Sequence, residues 1–217
     1  MDFNFATQVM NMMIALILSL TLHEAAHAFV AYLQGDNTAK SQGRLSLNPI
    51  VHMDPVGTIL FPLIGSMLGG FIFGWAKPVP VNTRNLKNQK WGYVLVAFAG
   101  PASNLILCFL SVIAYRLIGP VADGTVMVGF SRLAEAMVQI NAILAVFNLL
   151  PLYPLDGGAI IYEFLPRNLQ RAYEEYIIPY GNIILLALIF TGGFRYLAVA
   201  AQVWIIICDN LAQSILI

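Results

Sequence analysis

One pentapeptide in this chain has the residue types and spacing for metal-assisted hydrolysis. His23-Glu24-Ala25-Ala26-His27 reads H-E-x-x-H. On an α-helix, side chains at i and i+4 lie on one face, one turn apart. Both imidazoles can then reach a single Zn2+ at about 2.0–2.1 Å. Glu24 stands next to the first of them, close enough to take a proton from a metal-bound water and later return it to a leaving group.

A hydrolytic zinc needs a third protein ligand and one open position. The local alternatives fail. Val30 and Leu33 occupy the places where a metzincin would carry its glycine and third histidine. The next downstream glutamate is Glu135, at the start of a later apolar stretch. His52, Asp54 and Asp156 remain, and Asp156 is the best placed. It ends the run from Asn148 through Pro151 and Pro154 to Gly157 and Gly158. There the prolines break a helix and the glycines permit close backbone approach. An acid on irregular backbone at membrane depth needs a partner, and a metal is one. On this segment alone, a plain Pro/Gly helix end with an exposed aspartate is an equal reading.

The elements that must position these residues are membrane helices. Hydrophobic residues make up 59% of the 217 and charged residues 10%, with a mean hydropathy of +0.76. That is too little charge to coat a water-facing surface. Lysine plus arginine equals aspartate plus glutamate, 11 each, so no basic stripe points to nucleic acid. Cys108 and Cys208 lie in apolar stretches and read as unpaired small hydrophobes. The N-terminus lacks the basic region of a cleavable signal. The expected fold is an all-α polytopic membrane protein, a single domain over 1–217 in contact with the lipid bilayer. About five spanning helices are expected, at 5–33, 91–118, 130–152, 177–192 and 197–217. The stretch 56–75 holds Gly57, Pro62, Gly65, Gly69, Gly70 and Gly74, which suits a re-entrant segment better than a lipid-exposed helix.

Charge supports the re-entrant segment. If 56–75 enters and leaves on one side, then Lys40, Arg44, Lys77, Arg84, Lys87, Lys90, Arg167 and Arg171 share that side, and Arg116, Arg132 and Arg195 the other. An excess of that size marks the cytoplasmic face. The same topology runs the first span and the 130–152 span in parallel, which brings His27 and Asp156 to similar depth.

With these residues in view, the sequence resembles the site-2 protease family of intramembrane zinc metalloproteases. The likeness rests on HEAAH in a span, Gly100-Pro101-x-x-Asn104 in the next, and Asn148 through Leu155-Asp156-Gly157. It is closest to the minimal prokaryotic branch without PDZ or CBS domains, of which 43–49 and 73–82 also look typical. The resemblance implies one Zn2+ held by His23, His27 and Asp156, with Glu24 as catalytic base and Asn148 on the substrate backbone or oxyanion. It further implies a cell-membrane location with the active site toward the cytoplasm, and transmembrane protein segments as substrates.

Other readings compete. Intramembrane His and Glu also serve ion- or proton-coupled transporters, but polarity here gathers at one place and not along a path. A catalytically inactive relative that binds membrane helices would not need Glu24. His52-Met53-Asp54-Pro55 reads as an interfacial turn more than a second shell, and Asn104 as an interhelical hydrogen bond. The 43–51 stretch and the Gly-rich segment are expected to offer strand-like edges to an unwound substrate.

Overall fold

The computed structural model describes residues 3–67, 74–120 and 126–216. It is helical, as the composition requires. In chain order the helices are α1 (Phe3–Leu33), α2 (Thr38–Ser41), α3 (Pro49–His52), α4 (Phe61–Met67), α5 (Gln89–Ile118), α6 (Val126–Asn148), α7 (Asp156–Phe164), α8 (Arg167–Ala172), α9 (Ile178–Phe190) and α10 (Phe194–Leu216). A π-helical turn (Pro55–Leu60) leads into α4, a second (Tyr173–Ile177) joins α8 to α9, and a 3-10 turn (Thr83–Asn85) precedes α5.

Among the described residues, four helices are long and apolar enough to cross a membrane: α1, α5, α6 and α10. The all-α polytopic architecture holds. The fourth expected span, 177–192, forms α9, whose 13 residues continue without a break from α8 and the π-helical turn. Its Leu185 packs with Leu197 of α10 against Phe147 and Leu155, so α9 and the start of α10 lie together at one end of α6. From there α10 runs to the other end, where Arg116 near the end of α5 makes a two-pronged ion pair with Asp209 at 2.7 and 2.8 Å. Arg195 therefore belongs with the loops around the α6 C-terminus, not with Arg116 and Arg132. Moving it sharpens the charge asymmetry to nine against two.

Inter-helix contacts fix the directions of the others. Ser19 Oγ meets Met137 Sδ at 3.9 Å, and Asp156, just past α6, meets His23 and His27 farther along α1. The two helices therefore run parallel. Asn104 of α5 lies beside Ser19 and His23, and Val96 beside His27, so α5 runs antiparallel between them. Small and apolar side chains fill the seams: Ala15, Leu16, Leu20, Ala136 and Ile140 in one, and Cys108, Val112, Val138, Ala142, Ala201, Cys208 and Ala212 in another. Both cysteines are free and buried.

The two ends of the 56–75 segment lie side by side. Trp75 N donates to Gly57 O at 3.1 Å, Lys77 N to His52 O at 2.8 Å, and Thr58 Oγ1 to Trp75 O at 2.7 Å. The two ends are thus tied together, as a re-entrant hairpin requires. Residues 68–73, including Gly69 and Gly70, lie outside the described residues.

The chain then runs without helix along α1. Ala76 packs on the Leu16–Leu20 turn, Val79 N donates to Glu24, and Asn82 N donates to Asp36. Asp36 also accepts from Thr38 N and Oγ1 and from Asn85 Nδ2. Its burial would raise the carboxyl pKa, but these donors outweigh it and hold the group below the usual carboxylate range. An ionised Asp36 thus pins 82–85 to the end of α1.

Candidate metal centre

The H-E-x-x-H helix and the distant aspartate meet. His23 Nε2 and His27 Nε2 are 3.0 Å apart. Asp156 Oδ2 is 3.2 Å from the first and Asp156 Oδ1 3.4 Å from the second. One donor atom from each of the three residues falls within 4.8 Å of the others.

The hydrogen bonds behind these atoms decide their protonation. His27 Nδ1 is 2.6 Å from Val96 O, a carbonyl that can only accept, so Nδ1 carries the proton. His23 Nδ1 is 2.6 Å from Asn104 Oδ1. The Asn104 amide is turned that way because its Nδ2 donates to Asn141 Oδ1 at 2.8 Å and to Ser19 O at 3.4 Å. Asn141 is in turn anchored by donating to Met137 O. Both Nε2 atoms therefore present lone pairs to each other and to a carboxylate, in a place where His23 is 4% and His27 8% exposed. Three electron-rich groups facing one another in a buried space call for a cation at their focus. Nitrogen and carboxylate donors in a two-His, one-acid set, with room beyond them, suit a hydrolytic zinc.

Local sequence explains how the backbones come close enough. Pro101 has no N–H for the carbonyl one turn back and opens that turn of α5; the neighbouring Val96 carbonyl turns to His27. A Cβ on Gly100 would lie 2.3 Å from His27 Nε2 and 2.6 Å from His23 Nε2, so only glycine lets α5 pass the histidines. We expect Gly100→Ala to fold and to lose zinc: metal analysis should fall from one ion per chain to a trace while helicity is kept. Full zinc occupancy in that variant would contradict this packing. Gly157 does the same for the aspartate, since a Cβ there would sit 2.3 Å from Leu149 O. Asp156 occupies the first turn of α7, where the helix dipole favours a carboxylate.

Glu24, 9% exposed, lines the same cavity, and its Oε2 accepts from Val79 N at 2.9 Å. The cavity measures about 640 Å3, and Tyr93, Asn148, Tyr153, Tyr162, Glu163 and Tyr173 are among its walls. Asn148 is present as expected, but its Nδ2 donates to Leu144 O at 3.0 Å. That bond uses one of the two Nδ2 hydrogens and leaves the other for a substrate.

The structure assigns the remaining candidates differently. His52, 1% exposed, bonds Ser46 O through Nε2 at 2.8 Å, and Asp54 caps the following turn by accepting from Val56 N and Gly57 N. Neither lines the metal cavity. The 43–51 stretch is a turn followed by α3 and does not offer a strand edge there. The extended chain on the cavity wall is instead that near Pro78, Val79 and Val81. Lys77 N and Val79 N are bonded and Pro78 and Pro80 have no N–H, so Val81 carries the one backbone donor of 77–81 not used in these bonds. Sequence reading missed Val96 O, Val79 N and the role of Asn104, although the Gly100-Pro101-x-x-Asn104 motif flagged the turn that supplies two of the needed features.

A bundle of apolar spanning helices with this buried two-His, one-acid site defines a multi-pass membrane zinc metalloprotease. The chain belongs to Peptidase family M50, whose model matches residues 11–121 and 116–190. It is 45% identical over 183 residues to YwhC of Bacillus subtilis (strain 168), which carries the name of a zinc metalloprotease; the match covers 83% of this chain and 80% of that protein. It is 33% identical over 181 residues to Rip2 of Mycobacterium tuberculosis (strain H37Rv), also named for a zinc metalloprotease, covering 82% of this chain and 67% of that one. No solved structure matches the chain.

Proposed function

We propose that this protein is an intramembrane endopeptidase that hydrolyses peptide bonds in the transmembrane segments of other proteins. In this reading it sits in the cell membrane with its metal centre nearer the cytoplasmic face. The observation that carries the reading is the meeting of two imidazole lone pairs and a carboxylate inside a bundle of spanning helices, with a free acid, Glu24, beside them. His27 lies six residues before the end of α1, about 10 Å below it. The excess of lysine and arginine at that end makes it the cytoplasmic one.

His23, His27 and Asp156 hold the ion. Zinc bound there supplies a Lewis acid that lowers the pKa of a coordinated water toward about 7 and polarises a carbonyl. Glu24, oriented by Val79 N–H, takes the water proton and delivers it to the leaving amine. Asn148, through the amide hydrogen that Leu144 O leaves unused, contributes an uncharged donor to the developing oxyanion. The carbonyls of an intact helix are already bonded and wrapped by side chains, so the substrate unwinds locally, its amides meeting the carbonyl acceptors along 78–81.

The test uses the purified full chain in lipid vesicles with a single-span substrate, the fragments being mapped by mass spectrometry. The cut should fall inside the apolar segment, roughly 10 Å from its cytoplasmic end. A chelator should stop it and zinc restore it. Cutting only in water-exposed flanks, or cutting indifferent to chelation, would contradict the proposal.

A further inference from the structure

We infer that Glu163 is a specificity-determining residue that receives a lysine or arginine of the substrate about three residues to the cytoplasmic side of the cut bond. The inference rests on the proteolytic reading above.

Glu163 and Asp156 both belong to α7 (Asp156–Phe164) and both line the metal cavity. Seven residues is nearly two turns, so they share a helix face about 10 Å apart along the axis. Ala159, also on the cavity wall, lies between them. An extended peptide advances about 3.3 Å per residue. A chain whose carbonyl is at the metal therefore brings its third neighbour opposite Glu163.

The direction is toward the cytoplasmic mouth. Phe164, the next residue, packs on Trp91 at 5.5 Å between ring centroids, which places the end of α7 at the start of α5, beside the end of α1. Membrane spans carry their lysines and arginines at that flank. A carboxylate at the mouth would therefore catch the feature that nearly every span presents there and set the register of the cut.

The chemistry of the wall agrees. Among the described residues the cavity has no lysine or arginine in its lining. Glu24 and Asp156 are committed to the water and the metal, and no described residue hydrogen-bonds Glu163. The nearest cation, Lys90, holds its ammonium 5.2 Å from the Phe164 ring centroid. Its charge acts on Glu163 electrostatically, but Lys90 is not part of the cavity lining, whereas Glu163 is.

The experiment uses two single-span substrates that differ only at the third position cytoplasmic of the mapped bond, one with lysine and one with glutamate. The wild-type protein in vesicles should favour the lysine form about fivefold in kcat/KM, the size expected of a partly exposed ion pair. Glu163→Gln should bring the ratio close to one. Glu163→Lys should reverse it, a gain on the glutamate substrate that misfolding cannot produce. Moving the lysine by one residue should move the cut by one. An unchanged ratio in Glu163→Lys, or an equal loss on both substrates, would overturn the inference while leaving the proteolytic reading intact. No cutting of either substrate by the zinc-loaded wild type would overturn both.

Discussion

Replacing Glu24 with glutamine is expected to lower cleavage by about 10^2- to 10^4-fold, the range for a lost general acid–base group, while the bound zinc stays. Glu24 is placed for one task. It is buried on the cavity wall beside His23, and Val79 N–H holds one carboxylate oxygen, leaving the other for the water. Glutamine keeps the carbonyl oxygen that Val79 N–H needs and nearly the same volume, so fold and metal set should be unchanged. What it lacks is a lone pair basic enough to take a proton. Cleavage of a single-span substrate and zinc content, measured on the same preparation, separate this account from its rivals. Residual cleavage within tenfold of wild type would remove Glu24 from the chemistry. Equal loss of zinc and cleavage would make it a structural residue.

Asp156→Ala should empty the site. The aspartate is the one anionic ligand, and it lies within 3.2–3.4 Å of both Nε2 atoms. Without it, two neutral imidazoles must hold a dication in a buried place, and no other acid lies among the candidate metal ligands there. Loss of a residue that only orients a zinc ligand already costs about 10- to 100-fold in affinity. Loss of the ligand itself should exceed that, so protein purified through a modest chelator wash should carry no zinc and cut nothing. The helices should persist, because among the described residues Asp156 ties α7 to another helix only through its contacts with the histidines. Zinc retained at one ion per chain would mean that a different group completes the site.

That His23, His27 and Asp156 come together was legible in the sequence because each part has a local signature. H-E-x-x-H fixes one helix face, and the Pro151, Pro154, Gly157, Gly158 pattern marks irregular backbone holding an acid. The parallel course of α1 and α6 followed from the charge split and the helix breakers in 56–75. The atoms behind the ligands were not legible. Val96 O, Val79 N and the turned amide of Asn104 act across helix seams, and a backbone atom leaves no mark in composition. Asn104 was read as an interhelical hydrogen bond, which it is; that its partner is His23 depends on how far α5 slides past α1, and Gly100 sets that distance. The neighbours of the 177–192 stretch were not legible either. Its apolar length marks a helix, but hydropathy does not say that Leu185 packs with Leu197 and Phe147. His52 and Asp54 were candidates by residue type alone, and local hydrogen bonds to Ser46, Val56 and Gly57 absorb both.

The proposed activity depends on one ion shared by α1 and α7. X-ray absorption at the zinc edge, on the purified wild-type protein in lipid, reads that sharing directly. The spectrum should show two imidazole nitrogens at about 2.0–2.1 Å and carboxylate and water oxygens near 2.0–2.2 Å, with no sulfur shell. His27→Ala should cut the imidazole contribution from two to one in whatever zinc remains bound. A wild-type spectrum with sulfur at about 2.3 Å, with a single imidazole, or with no zinc at all would contradict the account.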